Sequence, residues 1–356
     1  MKILQVITSL RIGGAEKLIV DMVPRYIALG HQVDVLLFDG IDTPFKQQLQ
    51  EKGVKVYELG RGKSVYNPLN LFKFLPNLRR YDIVHTHNTA CQLFAAIGSV
   101  LCSVELVTTE HNTSNRRRAW KWYRVVDRWM YSRYRKVICI SDKAKENLLD
   151  YLGPIHNVIT IYNGIDCSRF AQAISYDEMR GKDKTIVTMV AGFRYQKDQD
   201  TLIRAIAHLP ESVELWLIGD GERRQQLEQL ACDWRVDKRI RFWGVRSDIP
   251  ELLKTSDIIV MSSHFEGLSL SSIEGMAVGK PFVASDVDGL HEITEGAGIL
   301  FSHGDDHELA DIIARLAADE AYRNKIADRC MMRARSYDIS ATVEKYVEIY
   351  NEIWKP

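Results

Sequence analysis

Short apolar blocks alternate with longer amphipathic stretches along most of the chain. Residues 2–8 read as a buried strand, and they run into 9–16, where Gly13 and Gly14 permit a tight turn before an amphipathic helix reaching about Leu29. Gly30 closes that helix, and 33–38 supply the next strand. Further strands are expected near 55–59, 83–85, 106–109, 137–140 and 158–161, with helical patterns between most of them. The polar run 175–184 reads as a linker between domains. Alternation then restarts, with strands at 185–190, 213–218, 240–242, 258–261, 282–284 and 298–301, and the chain past Phe301 reads as helix. The last run, 339–354, carries an apolar stripe including Val343, Tyr346, Tyr350 and Trp354, suited to lying across a neighbour. Repeated alternation of strand and helix predicts an α/β protein with two Rossmann-like domains built on parallel sheets, at 1–168 and 169–336, and a C-terminal helix at 337–356.

Composition narrows the class without changing that picture. A length of 356 residues suits two domains, and 46% hydrophobic with 26% charged residues is ordinary for a globular protein. The formal net charge of zero hides an asymmetry: residues 1–165 hold 23 Lys and Arg against 14 Asp and Glu, and the remainder is acidic by the same margin. Six cysteines, no two closer than eleven positions, suggest neither a zinc ribbon nor a disulfide framework, so a reducing cytoplasm is expected. The N-terminus reads as a first strand and not as a signal peptide, and the longest apolar stretch, 93–104, is too short to span a bilayer.

In an open α/β sheet, ligands sit beyond the carboxyl ends of the strands, so the loops there carry the chemistry. The stretch 262–277 joins the apolar run 258–261 to a helix start, whose free backbone N–H groups suit a phosphate. Two carboxylates frame it: Glu266 in the turn, and Glu274 about one helical turn inside the helix on the face of Leu270. Carboxylates repel a phosphate, so these two are expected to accept hydrogen bonds from sugar or ribose hydroxyls. After the strand ending at Val190, Gly192 leads to Arg194 and Lys197 just ahead of a helix, a pair of cations suited to a diphosphate. Gly219 and Gly221 form a turn without bulk, and in 243–246 the backbone around Val245 is placed to read the edge of a flat base. Each feature alone is ordinary, since glycine turns and solvated loop charges are common.

Their order is specific. Gly192-Phe193-Arg194 with Lys197, Gly219-Asp220-Gly221, Phe242-Trp243-Gly244 and the Glu266/Glu274 pair resemble, in order and spacing, the retaining GT-B glycosyltransferases of family four. Gly13-Gly14-Ala15-Glu16, Thr109-Glu110-His111-Asn112 and Asn163-Gly164-Ile165-Asp166 match the same family, so the resemblance spans nearly the whole chain. It implies two domains facing across a cleft, an N-terminal acceptor domain and a C-terminal nucleotide-sugar domain, with the last helix crossing back to the first. It also implies a nucleotide-sugar donor, most simply a UDP-sugar, no metal and no other cofactor, and transfer with retention. By the same resemblance Glu274 would hold the ribose and Glu266 the donor sugar. Arg194 and Lys197 would neutralise the diphosphate with backbone N–H groups of 268–270 (Leu268, Ser269, Leu270), and Gly267 would line the same donor site. Gly13 and Gly14 would let the first loop close over the diphosphate, and His111 would sit against the transferred sugar. Leu268-Ser269 depart from the usual Glu-Gly-Phe-Gly pattern toward a subgroup that builds surface polysaccharides. No protein nucleophile stands out, and Glu266 is the one carboxylate to consider for that role.

One stretch lies outside these motifs. Residues 115–136 carry nine basic residues, among them Arg116, Arg117 and Arg118, against the single acid Asp127, interleaved with Trp120, Trp122, Tyr123, Trp129, Met130, Tyr131 and Tyr134. Such mixtures suit helices at an anionic lipid interface. A lipid-linked acceptor, such as a polyprenyl-diphosphate sugar or a growing oligosaccharide, is therefore expected at the inner face of the cell membrane, with His85 and His87 lining the acceptor side. The composition would also suit nucleic acid, but no other nucleic-acid motif accompanies it. Two other classes compete with a sugar transferase. A nicotinamide-dependent oxidoreductase needs Gly-x-Gly-x-x-Gly after the first strand, which 12–17 do not provide. A two-lobed nucleotide or sugar binding protein would bind without turnover.

Overall fold

A computed structural model of the chain describes residues 1–11, 13–60, 62, 65–111, 120 and 122–354. It divides into two compact units, 1–164 with 339–356, and 165–338. Among the described residues the first unit holds a parallel sheet of β1 (Lys2–Ile7), β2 (Gln32–Leu37), β3 (Val56–Glu58), β4 (Ile83–Thr86), β5 (Glu105–Glu110), β6 (Lys136–Cys139) and β7 (Val158–Thr160). Their order is β3-β2-β1-β4-β5-β6-β7. The second holds β8 (Thr185–Val190), β9 (Val213–Ile218), β10 (Ile240–Gly244), β11 (Ile258–Met261), β12 (Phe282–Ser285) and β13 (Ile299–Phe301), in the order β10-β9-β8-β11-β12-β13. Both orders reverse direction beside the first strand of the unit, the arrangement of doubly wound nucleotide-binding sheets. The crevice at each reversal therefore lies beyond β1 and β4 in one unit and beyond β8 and β11 in the other.

These strands are buried on both faces, which is why they read as near-continuous apolar runs. Along β1, Leu4 and Val6 join a core with Phe38, Phe74 and Phe94, whereas Ile3 and Ile7 join the opposite core with Leu18, Tyr26 and Tyr346. The helix Gly14–Ala28 buries Leu18, Ile19, Met22, Val23 and Tyr26 at helical spacing against that second layer. It ends at Gly30, whose φ of +85° lets the N–H of His31 reach back to the carbonyl of Tyr26.

The helix Ile339–Ile353 packs in the same layer of the first unit, burying Val343, Tyr346 and Tyr350 beside the helix Gly14–Ala28. A Cβ on Gly164 would lie 2.6 Å from the Cα of Ile339, so only glycine admits that close approach. Next along the chain, Ile165 donates its N–H to the carbonyl of Tyr337 at 3.0 Å. The run 175–184 is not a linker: it is packed on the second unit, where the N–H of Tyr176 donates to Thr255 Oγ1 and Arg180 forks onto Asp257 at 2.8 and 3.1 Å. Its polarity reflects a surface turn anchored by an ion pair.

Candidate active site

In the second unit, loops leaving the carboxyl ends of β8, β9 and β11 interlock at positions that admit no side chain. A Cβ on Gly219, at φ +139°, would collide with the carbonyl oxygen of Ala191, and one on Gly221 would lie 2.5 Å from that of Phe193. Buried Phe193 thus anchors the loop, and Gly192, with no Cβ of its own, leaves its approach open. Arg194 follows it into solvent with no ion pair among the described residues. A single 3-10 turn, Tyr195–Lys197, then leads to Asp198, which takes up a left-handed backbone at φ 45° and caps the helix Gln199–Ala207 through Thr201.

Lys197 and Glu266 meet across the sheet reversal. Lys197 Nζ pairs with Glu266 Oε1, and Ser263 Oγ donates to the same oxygen at 2.7 Å. The Glu266 side chain is only 6% exposed and that of Lys197 is 19% exposed. Among the described residues the expected pair of cations is therefore one without an ion pair, Arg194, and one already engaged. The backbone of the Glu266 turn is tied on both sides. The N–H of His264 donates to Gln196 O at 2.8 Å, Gln196 Nε2 donates to Phe265 O at 2.9 Å, and the N–H of Glu266 donates to Asp288 O at 3.3 Å.

Gly267 and Leu268 continue to Ser269, which precedes the helix Leu270–Ala277 with an extended backbone. No side chain caps this helix; Ser269 Oγ accepts from Ser272 Oγ at 2.8 Å instead of from a backbone N–H. Its amino end stays open toward an anion, helped by the helix dipole. Glu274 lies one turn inside it, next to Gly275, whose missing side chain lets the helix rest on Ile259. On the other flank Val245 is 74% exposed, just after Gly244 at φ +68°. Arg246 lies over the Trp243 ring at 5.6 Å, and Trp243 packs edge-on against Trp216 at 5.1 Å.

One position here was not foreseen. A Cβ on Gly289, at φ +82°, would collide with the carbonyl oxygens of Gly267 and Glu266, so the loop after β12 is a brace pressed on the Glu266 turn. The Asp288-Gly289 pair was the available signal.

In the first unit, Gly13 precedes the helix Gly14–Ala28 with an extended backbone, and a Cβ there would strike the Glu16 carboxylate; Gly14 has open space around it. Burial holds the Glu16 carboxyl above its ordinary range.

Across β1, β4 and β5 runs a buried polar chain. Thr109 Oγ1 contacts His85 Nε2 at 2.8 Å, and His85 Nδ1 meets Tyr350 OH at 2.5 Å. Tyr350 OH accepts from Gln5 Nε2 at 3.3 Å, Gln5 Oε1 meets His87 Nε2 at 2.6 Å, and His87 Nδ1 meets His111 Nε2 at 3.0 Å. The expectation that His85 and His87 line an acceptor surface is corrected. His85 is 0% exposed, both are enclosed, and all four of their ring nitrogens already have partners. They stand behind His111, which is partly exposed and whose Nδ1 is buried with no hydrogen-bond partner among the described residues. Burial holds His85 down at about 3 and His111 at about 4, so both are neutral at pH 7. Gln5, Thr109, Tyr346 and Tyr350 were not foreseen; Tyr346 OH completes the set by meeting Thr109 Oγ1 at 3.1 Å.

Arg116, Arg117 and Arg118 lie outside the described residues. Of the apolar and aromatic residues near them, Met130, Tyr131 and Tyr134 are core, with Tyr131 OH donating to Glu110 and Tyr134 OH to Gln92 O, so they present nothing to a lipid. Trp120 and Trp122 are 57% and 61% exposed. Val125 and Trp129 are exposed on the same side of the helix Tyr123–Ser132 as Trp122.

Comparison with known proteins bears on both units. Residues 12–169 match the family model described as Glycosyltransferase Family 4, and 184–319 match that described as Glycosyl transferases group 1. The chain is 27% identical over 311 residues to an Escherichia coli UDP-Gal:alpha-D-GlcNAc-diphosphoundecaprenol alpha-1,3-galactosyltransferase, covering 81% of this chain and 79% of that protein. Among solved structures it resembles Anabaena Alr3699/HepE in complex with UDP, at 25% identity and a TM-score of 0.86, over 99% of this chain and 100% of that one. The same protein in complex with UDP-glucose is matched at 25% identity and a TM-score of 0.83, again over 99% and 100% of the two chains. The two family matches run through both Rossmann-like units, and the chain belongs to the glycosyltransferases of the family 4 type with the GT-B fold.

Proposed function

We propose that this glycosyltransferase moves a hexose or N-acetylhexosamine from a UDP-sugar to a lipid-linked or polysaccharide acceptor, with retention of configuration and without a metal ion. The observation that carries the reading is the grouping at the β8–β11 reversal of free Arg194, the Lys197–Glu266 pair and the uncapped start of the helix Leu270–Ala277. Cleaving a sugar–diphosphate bond creates a cationic sugar and an anionic leaving group. Fixed positive charge at the diphosphate lowers that barrier, and each such group is worth about a hundredfold or more in rate. Arg194 and the helix start supply this without a cation from solution, and Lys197 is shared between diphosphate and Glu266 once the donor binds. We assign Glu274 to the ribose, the backbone around Val245 to the base, and Gly13 and Gly14 to closure over the diphosphate.

Glu266 is tied through Oε1 to both Lys197 and Ser263, which suits it to accept a hydroxyl of the transferred sugar and makes it a poor nucleophile. Retention then follows from attack by the acceptor hydroxyl on the face from which the diphosphate leaves. His111, neutral and with Nδ1 unpartnered among the described residues, is assigned to another hydroxyl of the same sugar. Support for UDP comes from the UDP and UDP-glucose complexes of the Anabaena structure, and support for a polyprenyl-diphosphate acceptor from the name of the Escherichia coli relative. Purified protein given UDP-hexoses and a polyprenyl-diphosphate sugar should yield a product whose anomeric coupling in NMR matches the donor. Adding magnesium or manganese should leave the rate unchanged. An inverted product, or a rate that rises many-fold with either metal, contradicts the mechanism.

The exposed Trp120, Trp122, Val125 and Trp129, beside Arg124 and Arg128, are assigned to docking on an anionic leaflet from the cytoplasmic side. In this reading attachment through this face is peripheral; no helix among the described residues is long and apolar enough to cross a membrane. Replacing Trp122 and Trp129 by Ser should cut co-sedimentation with phosphatidylglycerol vesicles several-fold, and unchanged binding refutes the assignment.

A further inference from the structure

Beside the Lys197–Glu266 pair, but sharing none of its side-chain atoms, three potential ligand groups converge from three separate loops. Asp198 ends the loop after β8, His264 lies in the loop after β11, and His303 lies in the turn after β13; their donor atoms all lie within 4.8 Å of one another. His264 Nδ1 is 2.7 Å from His303 Nε2 and 3.7 Å from Asp198 Oδ2. Two imidazoles and a carboxylate form a nitrogen-rich donor set that favours zinc and its neighbours over magnesium or calcium. Around a tetrahedral zinc at ordinary bond lengths, ligand atoms stand ~3.3 Å apart. The two histidines would part by about half an ångström, and the carboxylate would close by a few tenths of an ångström toward His264 and by up to about 1.5 Å toward His303.

Two further features point to a cation there. Asp198 is 3% exposed, yet among the described residues no Lys or Arg lies within ion-pair distance of it; His264 is its one potential ion partner, and its other contacts are the N–H and hydroxyl of Thr201 in the helix it caps. A buried carboxylate without a counter-charge is costly, and a metal removes that cost. Its Oδ2 also accepts from Thr201 Oγ1 at 2.7 Å, a bond that orients a ligating carboxylate in the way outer partners orient metal ligands. His303 is exposed, which leaves an open side for water as a fourth ligand. A second group on the same unit, His208, Asp306 and His307, lacks the first feature, since Asp306 is already paired with Arg204 at 3.6 Å.

We infer that Asp198, His264 and His303 form a transition-metal site of the zinc class that ties the loops after β8, β11 and β13 together beside the Glu266 turn. The site does not depend on the donor assignment, and its metal takes no part in the transfer. The test uses the full chain freed of metal, titrated with Co2+ by visible absorption and with Zn2+ by calorimetry and thermal melting. One saturable equivalent is expected, with cobalt bands of tetrahedral intensity and a melting temperature that rises with zinc. His303→Ala and His264→Ala should each weaken affinity at least about tenfold, whereas His307→Ala should leave it unchanged. Comparable affinity in wild type and His303→Ala overturns the inference, as does loss of binding in His307→Ala or no saturable binding by the wild type. His303 is exposed and lies in a surface turn, so its replacement tests the site without disturbing the core.

Discussion

Cutting the Lys197–Glu266 pair from each side should give unequal results, because the two ends are not equally buried. Lys197→Met leaves the Glu266 carboxylate, 6% exposed, with the Ser263 hydroxyl as its remaining donor among those described. Stripping the cation from a buried pair costs ~3–5 kcal/mol, and partial access of Lys197 to water reduces this to about 2–4 kcal/mol. Glu266→Gln keeps the shape and the bond from Ser263, and the orphaned ammonium can turn toward solvent, so that change should cost about 1 kcal/mol. The double variant removes the uncompensated charge as well as the pair. It should be no less stable than Lys197→Met, giving a coupling energy of about 1–2 kcal/mol. Amide exchange along β8 and β11 under native conditions reads this locally, which matters because a chain of two units need not unfold in one step. A cost below about 1 kcal/mol for Lys197→Met, or costs that simply add, would show that the pair is not buried as described and would remove the reason for treating Glu266 as a fixed hydroxyl acceptor.

Three further outcomes follow from the same contacts. Folded His85 and His111 are held at about 3 and about 4, below the ordinary histidine value of ~6.5, so the unfolded chain binds more protons in the interval between. Stability of the first unit should thus fall as pH drops from about 6.5 toward 4, by up to ~1.4 kcal/mol per pH unit for each histidine, and His85→Gln should flatten the slope of denaturant-derived stability against pH. A slope unaffected by that change refutes the buried-neutral assignment. Tyr350→Phe removes the hydroxyl at 2.5 Å from His85 Nδ1 and should cost about 1–3 kcal/mol, seen as faster amide exchange in the helix Ile339–Ile353 and β4; unchanged exchange there counts against the polar chain. Gly289→Ala places a Cβ against the carbonyls of Gly267 and Glu266 at a positive φ, so it should lower turnover and cost about 1–3 kcal/mol, whereas Gly304→Ala, at a positive φ in open space, should leave turnover unchanged.

The architecture was legible because parallel strands buried on both faces leave apolar blocks that periodicity detects, and because turns such as Gly219-Asp220-Gly221, ordinary singly, follow one another in a specific order. What pattern reading cannot supply is which side chain meets which. Lys197 and Glu266 are 69 positions apart, and their pairing changes a two-cation clamp into one free arginine and one shared lysine. His85 and His87 end a strand as expected, but the last helix covers them, so they support His111 instead of facing a substrate. Gln5, a polar residue at the centre of an apolar strand, was a signal left unread, and it is the member that joins Tyr350 to His87. The run 175–184 misled for the opposite reason: its polarity resembles a linker until Arg180 is seen to bind Asp257.

The most direct test of the central claim is calorimetric titration of the wild-type chain with a panel of nucleotide sugars, repeated with Arg194→Ala and Glu274→Ala. A UDP-sugar that binds the wild type, and binds at least about tenfold more weakly to each variant, is the result expected if the open arginine holds the diphosphate and the helix carboxylate holds the ribose. Binding of no nucleotide sugar, or binding indifferent to both substitutions, contradicts the placement of the donor at the β8–β11 reversal.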